Sequence, residues 1–451
     1  MFTKNRLFWY SALIIFTLSI VTNALFLHKI GYRTEPDSVG YIRVAKNFIE
    51  HGALLENDYE LGTLIPFTER MPAYPLFLAG IYKIFGEKPY SLWIVAVFNY
   101  FFLTISALLI FLLAGYTFNL RVGIIAGLLA AFDPWAKLVG HMILTDSMFY
   151  MAVTFSFLLG VYTLKNQDNS KGINFFLWGM SIGLATMVRP VLNYFWMVLI
   201  PFFIYNYKLK RGLYYFIVCF LGIIIFTGSW LYRNYTFAGF FGLQSANGIV
   251  LLYGNNNLTR YSTKEDYESN HRLARARDVI ASGVNPMKLM TPIQKELGLS
   301  SYELNDLLRK IGIENIVENP LKFSLIYCKN WIKTVTTLFN VGSTKGVGST
   351  SPSCVVWAEK IASFVLFLLF PIAGFLIAWK RNYSKSILIF FVVTIFYFIS
   401  LTALLKGSFR YRLPLHGIFW ALDAVVILSF IDKLMASFKS GKLSLLLSKG
   451  K

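Results

Sequence analysis

The sequence predicts an all-α protein that crosses a membrane about ten times. Of its 451 residues, 56% are hydrophobic and only 15% are charged, and the mean hydropathy is +0.55. Soluble globular domains carry roughly 25% charged residues, so this chain has too few to cover a water-soluble surface. Several apolar runs reach the roughly 20 residues that a helix needs to cross a bilayer. Helices must form these spans, because lipid offers no hydrogen-bond partner to an open backbone.

Ten spans with both chain ends in the cytoplasm give a consistent topology for a single transmembrane domain of residues 1–451. The first apolar run, residues 7–27, follows Lys4 and Arg6. We predict a retained helix and not a signal peptide, because the run is long and no small-residue cleavage site follows it. The other predicted spans are 91–115, 122–140, 145–164, 173–188, 191–206, 213–231, 355–379, 386–405 and 412–431. The short inner links are rich in lysine and arginine, as the positive-inside rule requires of cytoplasmic loops.

Two polar segments are predicted to lie outside the membrane. Residues 29–72 form a first outer loop, and residues 232–353 form a long outer segment. In the long segment, Ser300 and Glu303 fit a capping box that begins a helix. A second helix is predicted from Pro320. Lysines beside its aromatic residues indicate either a helix at the membrane interface or an ordinary packed helix.

The net charge of +20 does not indicate a nucleic-acid partner, because the basic residues are scattered among apolar spans. The three cysteines, Cys219, Cys328 and Cys354, lack the spacing of a metal site. Cys328 and Cys354 could form a disulfide in an oxidising compartment or remain free. The few histidines are unclustered, which argues against a zinc site.

The first outer loop contains the residues with the strongest functional signal. Glu35 and Asp37 come just after the first span, and Ser38 and Tyr41 follow them. Carboxylates at a membrane surface suit acid–base catalysis. Asp37 or Ser38 could instead cap a helix that runs through Ile49.

Farther along this loop, Glu69 and Arg70 open a second motif, and the two motifs together read PDSxxYxxxA … ERxPxYPLFL … FG. This pair, close behind a first transmembrane helix, resembles the membrane glycosyltransferases of the GT-C superfamily. The likeness is greatest to the branch that contains the lipid A aminoarabinose transferase and, more distantly, the protein O-mannosyltransferases. Later segments resemble the same family in the same order, at 144–147, 230–235, 248–256 and 410–414. Ser229 departs from the family pattern, which has proline there, and the C-terminal soluble domain of some relatives is missing, which leaves the acceptor open.

The resemblance implies a GT-C-type fold with interfacial helices in the outer loops. It also implies transfer of a sugar from a polyprenyl-phosphate donor to an extracytoplasmic hydroxyl acceptor. Asp37 would be the base that takes the acceptor proton, with inversion at the anomeric carbon. Asp146 would be a second acidic residue that orients the acceptor or a positively charged partner, unless Thr145 or Asp146 only caps a helix. Glu35 is the other acidic candidate.

Arginines at the predicted outer ends of spans indicate an anionic ligand, because the positive-inside rule does not place them there. The planar guanidinium matches phosphate oxygens. The candidate ligands of the donor phosphate are Arg70, Arg233, Arg410 and Arg412. These side chains could instead contact lipid headgroups or pair with Glu35 and Glu69. The candidate sugar-pocket residues are Tyr41, Tyr74, Asn255 and Asn256. The two asparagines could instead form a turn.

No cofactor is expected. A divalent cation could bind the carboxylates of Glu35, Asp37 and Glu69, but the outer arginines already balance a phosphate, so metal independence is favoured. The expected partners are the lipid-linked donor, a glycan, lipid or protein acceptor, and the surrounding membrane lipid. The active site is expected on the extracytoplasmic side of the plasma membrane.

Two other functions fit parts of the sequence. A transporter or flippase of lipid-linked sugars would share the basic, aromatic outer face. Asp423, near the middle of the last predicted span, is the kind of intramembrane carboxylate that such a protein uses. A polysaccharide polymerase or ligase would share the long outer segment, and only the early position of the Asp37 motif speaks against it.

Overall fold

Helices form most of this computed structural model, which describes residues 6–57, 62–166, 171–283, 293, 295–336, 353–405 and 409–439. Strands β1 (Leu55–Asn57) and β2 (Leu64–Pro66) form an antiparallel hairpin in the first outer loop. The principal helices are α1 (Arg6–Ile30), α2 (Pro36–His51), α3 (Ala73–Phe85), α4 (Pro89–Thr117), α5 (Leu120–Ala131), α6 (Pro134–Gly140), α7 (Asp146–Lys165), α8 (Gly172–Val188), α9 (Phe195–Ala238), α10 (Asn247–Asn255), α11 (Lys264–Ser269), α12 (His271–Ala281), α13 (Ser301–Glu318), α14 (Pro320–Thr336), α15 (Ser353–Phe364), α16 (Phe370–Lys380), α17 (Lys385–Ala403), α18 (Phe409–Arg412) and α19 (His416–Lys439).

The described helices include seven that are long and apolar enough to cross a membrane. Helices α5 and α6 add an eighth crossing if this pair, bent by 45°, is counted as one span. Helix α8 is apolar but has only 17 residues. The predicted all-α, multi-span fold is therefore confirmed. The predicted number of ten is approximate, because it depends on how α8 and α9 are counted.

Helix α9 contains a reversal of the chain at Lys208, which adopts φ 62° and ψ 167°. A Cβ atom added to Gly212 would lie 2.7 Å from the carbonyl oxygen of Phe203. In a straight helix, residues nine apart are separated by about 13 Å. The arms on either side of Lys208 therefore pack against each other, and they correspond to the two predicted spans 191–206 and 213–231.

Glycines allow α8 and α9 to approach closely. A Cβ atom on Gly179 would lie 1.8 Å from the carbonyl oxygen of Cys219, and one on Gly222 would lie 2.3 Å from that of Phe176. Small residues at helix contacts are a general feature of membrane bundles, where close packing replaces the hydrophobic effect between helices. This contact fixes the position of the chain that leaves the outer end of α8.

The first outer loop and the segment after α9 meet at one end of the bundle. The Ser245 backbone N–H donates to the Thr68 carbonyl at 2.8 Å, and the two hydroxyl groups of these residues are 3.2 Å apart. Residues 30–72 and 232–260 therefore share one end, as predicted. At the other end, Asn119 contacts the Tyr383 hydroxyl at 3.1 Å, between two of the links predicted to be cytoplasmic.

Helices α10 to α13 form an outer lobe with a hydrophobic cluster that includes Leu252, Leu304 and Ile311. The predicted capping box is confirmed, since the Ser300 hydroxyl accepts from the Glu303 N–H and the Glu303 carboxylate accepts from the Ser300 N–H at 2.9 Å. The helix predicted from Pro320 is also present, as α14. Cys219 and Cys328 are free thiols, whereas the side chain of Cys354 lies outside the described part of the chain.

Candidate functional site

Asp37 occupies the first turn of α2 without capping it. Glu35 is the N-cap residue, and the Ser38 hydroxyl accepts a hydrogen bond from the Glu35 N–H at 2.8 Å as part of a capping box. The Asp37 carboxylate is left to face Arg70, with 3.1 Å between Oδ1 and Nη2. Its side chain is 44% exposed, so this carboxylate is accessible to a second molecule.

Arg70 is held between two carboxylates and an aromatic ring. Its Nη2 lies 3.2 Å from a Glu69 carboxylate oxygen in addition to its contact with Asp37, and its guanidinium lies 4.9 Å from the Tyr41 ring centre. Burial disfavours the charged form of Arg70, but the negative potential of Glu69, Tyr41 and Asp37 outweighs burial and raises the pKa of Arg70. This side of the site has one guanidinium for two carboxylates.

The opposite charge ratio occurs around Asp146, at the start of α7. Arg189, at the end of α8, and Arg410, in α18, each place a guanidinium nitrogen 2.7 Å from an Asp146 oxygen. The Asp146 side chain is only 1% exposed, whereas both arginines reach the surface of the site. Two guanidinium groups share one carboxylate, so this side carries an excess of positive charge.

A short backbone bridge brings the two sides together. The Arg33 N–H donates to the His141 carbonyl at 2.8 Å, and the Ile143 N–H donates to the Arg33 carbonyl at 3.0 Å. Arg33 precedes Asp37 and Ile143 precedes Asp146, so the bridge fixes both carboxylates at the same end of the bundle.

Tyr41 and Tyr74 lie between the two charged groups. Their ring centres are 5.4 Å apart in a T-shaped arrangement. The Tyr74 hydroxyl is buried and is close enough to Asp146 to interact with it electrostatically. Arg410 is likewise close enough to Asp37 for an electrostatic interaction. Glu35 has a separate partner, since its carboxylate lies 2.8 Å from Arg33 Nε.

Arg233 supports the hairpin of the first outer loop. Its guanidinium donates to the carbonyls of Leu54 at 2.7 Å and Phe67 at 2.5 Å, and it lies 4.8 Å from the Trp230 ring centre. These bonds flank β1 and β2 and hold them against the end of α9. Its guanidinium thus has partners in the protein backbone rather than facing the space between Asp37 and Asp146.

Glu56, in β1, is a partly buried carboxyl group next to the site. It accepts a hydrogen bond from the Thr68 N–H at 3.2 Å. Burial, with Glu69 as the second cause, raises the pKa of Glu56 to about 8. Glu56 is therefore mostly neutral at physiological pH, which lowers the negative charge around Glu69 and Arg70.

Arg412 lies inside the bundle rather than at its surface. Its side chain is fully buried, its guanidinium lies 3.8 Å from the Phe367 ring centre, and one of its nitrogens donates to the Val335 carbonyl. These contacts tie α18 to α14 and to the Val365–Leu369 segment between α15 and α16. Arg410, two residues earlier, reaches the site.

The two asparagines assigned to a sugar pocket lie in the outer lobe. Asn255 is fully buried, donates to the Gly312 carbonyl at 3.0 Å and accepts from Asn315 at 3.2 Å. Asn256 begins a 3-10 turn that ends at Leu258. These contacts match the alternative interpretation of this motif, which was a turn after α10.

Arg189 and Glu56 are the two site residues that the sequence analysis did not select. Arg189 follows the predicted span 173–188 at its outer end, so the argument applied to Arg70 and Arg410 also identifies it. Glu56 had no such signal. Among the described residues, no group of three or more Asp, Glu, His or Cys side chains is placed to hold a metal ion, and metal independence stays a prediction.

Comparisons with known proteins bear on the fold of the chain. Residues 69–232, which include Arg70, Asp146 and Arg189, match the family model of dolichyl-phosphate-mannose-protein mannosyltransferase. The archaeal oligosaccharyltransferase AglB from Archaeoglobus fulgidus, in complex with an inhibitory peptide and a dolichol-phosphate, superposes with a TM-score of 0.58 at 13% identity, over 98% of this chain and 52% of that chain. The chain has a GT-C-type fold.

The predicted resemblance to the GT-C superfamily is thereby confirmed. The apo form of the Archaeoglobus fulgidus enzyme also matches this GT-C-type chain, with a TM-score of 0.58 at 13% identity, over 98% of this chain and 53% of that chain. ArnT from Cupriavidus metallidurans bound to undecaprenyl phosphate covers 90% of this chain and 77% of its own at 12% identity, but its TM-score of 0.40 supports no argument about the fold. The chain spans about half the length of the oligosaccharyltransferase. No curated protein matches it in sequence.

Proposed function

We propose that this GT-C-type chain is a glycosyltransferase that moves one sugar from a polyprenyl-phosphate donor to an extracytoplasmic hydroxyl acceptor. The observation that carries the proposal is the division of charge across the site. One guanidinium faces two exposed carboxylates around Asp37, whereas two guanidinium groups share one buried carboxylate at Asp146. A base on one side of a sugar carbon and an anion-binding group on the other side suit a reaction in which an acceptor oxygen displaces an anionic leaving group at that carbon.

In the proposed reaction, the acceptor oxygen attacks the anomeric carbon from the Asp37 side. Its proton passes to the Asp37 carboxylate, and a new carbon–oxygen bond forms with inversion. The bond between the anomeric carbon and the phosphate oxygen breaks, and its electron pair stays on the polyprenyl phosphate. Arg189 and Arg410 would stabilise the charge that grows on this leaving group.

The proposal changes the roles of three arginines from those inferred from the sequence. Arg70 already contacts Asp37 and Glu69, so we assign it to the orientation of Asp37. Arg233 and Arg412 bind backbone carbonyls, so we assign them to the support of the surrounding loops. Arg410 keeps its predicted phosphate role and gains Arg189 as its partner.

The proposal is tested with purified protein and a panel of polyprenyl-phosphate sugars, by measuring release of the free lipid phosphate. A transporter or flippase would release none, and this second function keeps one observation in its favour. Asp423 is fully buried in α19, and neither of its oxygens has a hydrogen-bond partner in the described part of the chain. If no donor yields lipid phosphate while lipid-linked sugar crosses the membrane, the transporter is the correct function.

Arg189→Gln tests the phosphate side directly. A charge-assisted hydrogen bond contributes about 1.5–3 kcal/mol, so kcat/KM for the donor should fall by roughly 10- to 100-fold. Arg189→Lys should recover part of the loss, as a charge without the planar fork. Arg275→Gln, which removes an exposed pair with Glu296 on the outer lobe, is the control. Equal donor use by Arg189→Gln and Arg275→Gln would show that Arg189 does not bind phosphate.

A further inference from the structure

A cavity of about 640 Å³ lies between the outer lobe and the end of the bundle. Its volume is in the range of small-molecule sites, about 300–1,000 Å³. One wall is formed by the outer lobe and the chain leading into it, and it includes Gln244, Asn247, Tyr302 and Asp306. The opposite wall is formed by the bundle and includes Leu401. We call this space the outer cavity.

The outer cavity adjoins both sides of the charged site. Pro190 and Tyr411 line it, and these residues follow Arg189 and Arg410 directly in the chain. Ser245 also lines it and binds Thr68, the neighbour of Glu69. A molecule in the outer cavity is therefore next to the space between Asp37 and Asp146.

The lobe wall presents polar groups suited to hydroxyls. Asn247 is exposed and Gln244 is partly buried, and their side-chain amides are hydrogen bonded to each other. A side-chain amide provides both a hydrogen-bond donor and a hydrogen-bond acceptor. A sugar hydroxyl both donates and accepts hydrogen bonds, so an amide can satisfy it in both ways. Asp306 adds a carboxylate that is paired with Arg309 at 2.5 Å and with Lys310 at 3.0 Å.

Aromatic rings provide flat apolar faces in the same cavity. Tyr302 is 48% exposed, and its ring centre lies 5.0 Å from that of Phe240. Phe241 is 77% exposed. Aromatic side chains combine a large apolar face with, in tyrosine, a polar tip. Flat rings beside amides fit the apolar and polar faces of a pyranose ring.

We propose that the outer cavity binds a carbohydrate acceptor, so that this transferase extends a glycan. The inference rests on the proposed function, and it names the substrate class that the sequence left open among glycan, lipid and protein. A lipid acceptor would need an apolar wall on both sides, whereas the lobe side combines apolar residues such as Leu251 with polar ones such as Asn247 and Asn305. A basic peptide would need unpaired carboxylates, whereas Asp306 is paired with two cations.

Two variants test the proposal, Asn247→Ala and Tyr302→Ala. With a polyprenyl-phosphate sugar as donor and soluble neutral oligosaccharides as acceptors, each variant should raise the acceptor KM about tenfold, the loss expected from one hydrogen bond or one aromatic contact. Tyr261→Ala is the matched control, because Tyr261 is 63% exposed on the outer lobe and is not among the residues lining the cavity. A serine- and threonine-rich peptide serves as the competing acceptor class.

A binding measurement separates this proposal from the proposed function. Saturation-transfer NMR should detect oligosaccharide binding to the parent protein, and the signal should fall in Tyr302→Ala but not in Tyr261→Ala. Binding of this kind without release of lipid phosphate would keep the carbohydrate site and reject the transferase. Unchanged acceptor KM and NMR signal in both cavity variants, or transfer to the peptide alone, would overturn the carbohydrate assignment.

Discussion

Glu35 and Asp37 are two residues apart, yet they contact different guanidinium groups. Glu35 pairs with Arg33, before the start of α2, whereas Asp37 faces Arg70 from the other motif of the loop. Side chains two positions apart in the sequence point about 200° apart around a helix axis. Carboxylates so close in the sequence therefore need not share a role. Only Asp37 joins both motifs, so the proposed base belongs there.

Glu56 gives a prediction for pH dependence. The pKa of this carboxyl is raised from its ordinary value of 4.5 to about 8 in the folded protein. Because the folded state binds the proton more tightly, its stabilising contribution is fully present below 4.5 and is lost as the pH rises through 8. Hydrogen exchange in the β1–β2 hairpin should therefore accelerate beyond its intrinsic increase as the pH rises from about 4.5 to about 8, and it should follow only the intrinsic increase above that range.

The matched variants for this experiment are Glu56→Gln and Glu50→Gln. The glutamine side chain stays neutral at every pH, so exchange in the hairpin of the first variant should show only the intrinsic increase between about pH 4.5 and 8. Glu50 is an exposed carboxylate on α2, and its replacement should leave the parental pH dependence in place. The same acceleration in Glu56→Gln as in the parent protein would assign the effect to another group.

The residues of the site were only partly predictable from the sequence. Asp37 and Arg70 were found because their motifs resemble a known family. The pairs of Asp146 with Arg189 and Arg410 span 43 and 264 residues. No local pattern reports such contacts, since they form only when α7, α8 and α18 assemble. The contacts of Asn255 could not be predicted either, because a buried amide between helices and a sugar-binding amide look the same in sequence.

Helices α8 and α9 depend on glycine for their close contact. Gly179→Ala should force the two helices apart, because the added Cβ would meet the Cys219 carbonyl oxygen at 1.8 Å. Overpacking of this kind costs about 1–3 kcal/mol and should lower the thermal unfolding temperature in detergent. Gly80→Ala is the control, since no atom lies within 4 Å of a Cβ at that position in α3. Equal shifts in the two variants would mean that the α8–α9 contact is looser than described.

Among the elements, the long apolar helices were predictable and the small irregular ones were not. Hydropathy identifies a span whatever its neighbours, which is why α4, α7 and α17 fell where predicted. The break at Lys208 was also indicated, by a basic link between two apolar runs. Strands β1 and β2 have three residues each, too few for an alternating pattern, and their position depends on bonds to Arg233.

For the whole molecule, the arrangement predicts which loops share a side of the membrane. A reporter fused after Lys171 should be cytoplasmic, because it joins the basic links of the inner side. A reporter near Asn270, in the outer lobe, should be extracytoplasmic. Both reporters on one side would reject the ten-span topology. The shared site would fail only if residues 30–72 and 232–260 faced opposite sides.

The central claim is that Asp37 is the base of a sugar transfer, and Asp37→Asn tests it most directly. Asparagine keeps the shape of the side chain and an oxygen for Arg70, but it cannot take a proton. Release of lipid phosphate from the preferred donor, measured with acceptor present, should fall by about 10²–10⁴-fold while donor binding is retained. Glu35→Gln should lose far less. A rate near that of the parent protein in Asp37→Asn would contradict the account.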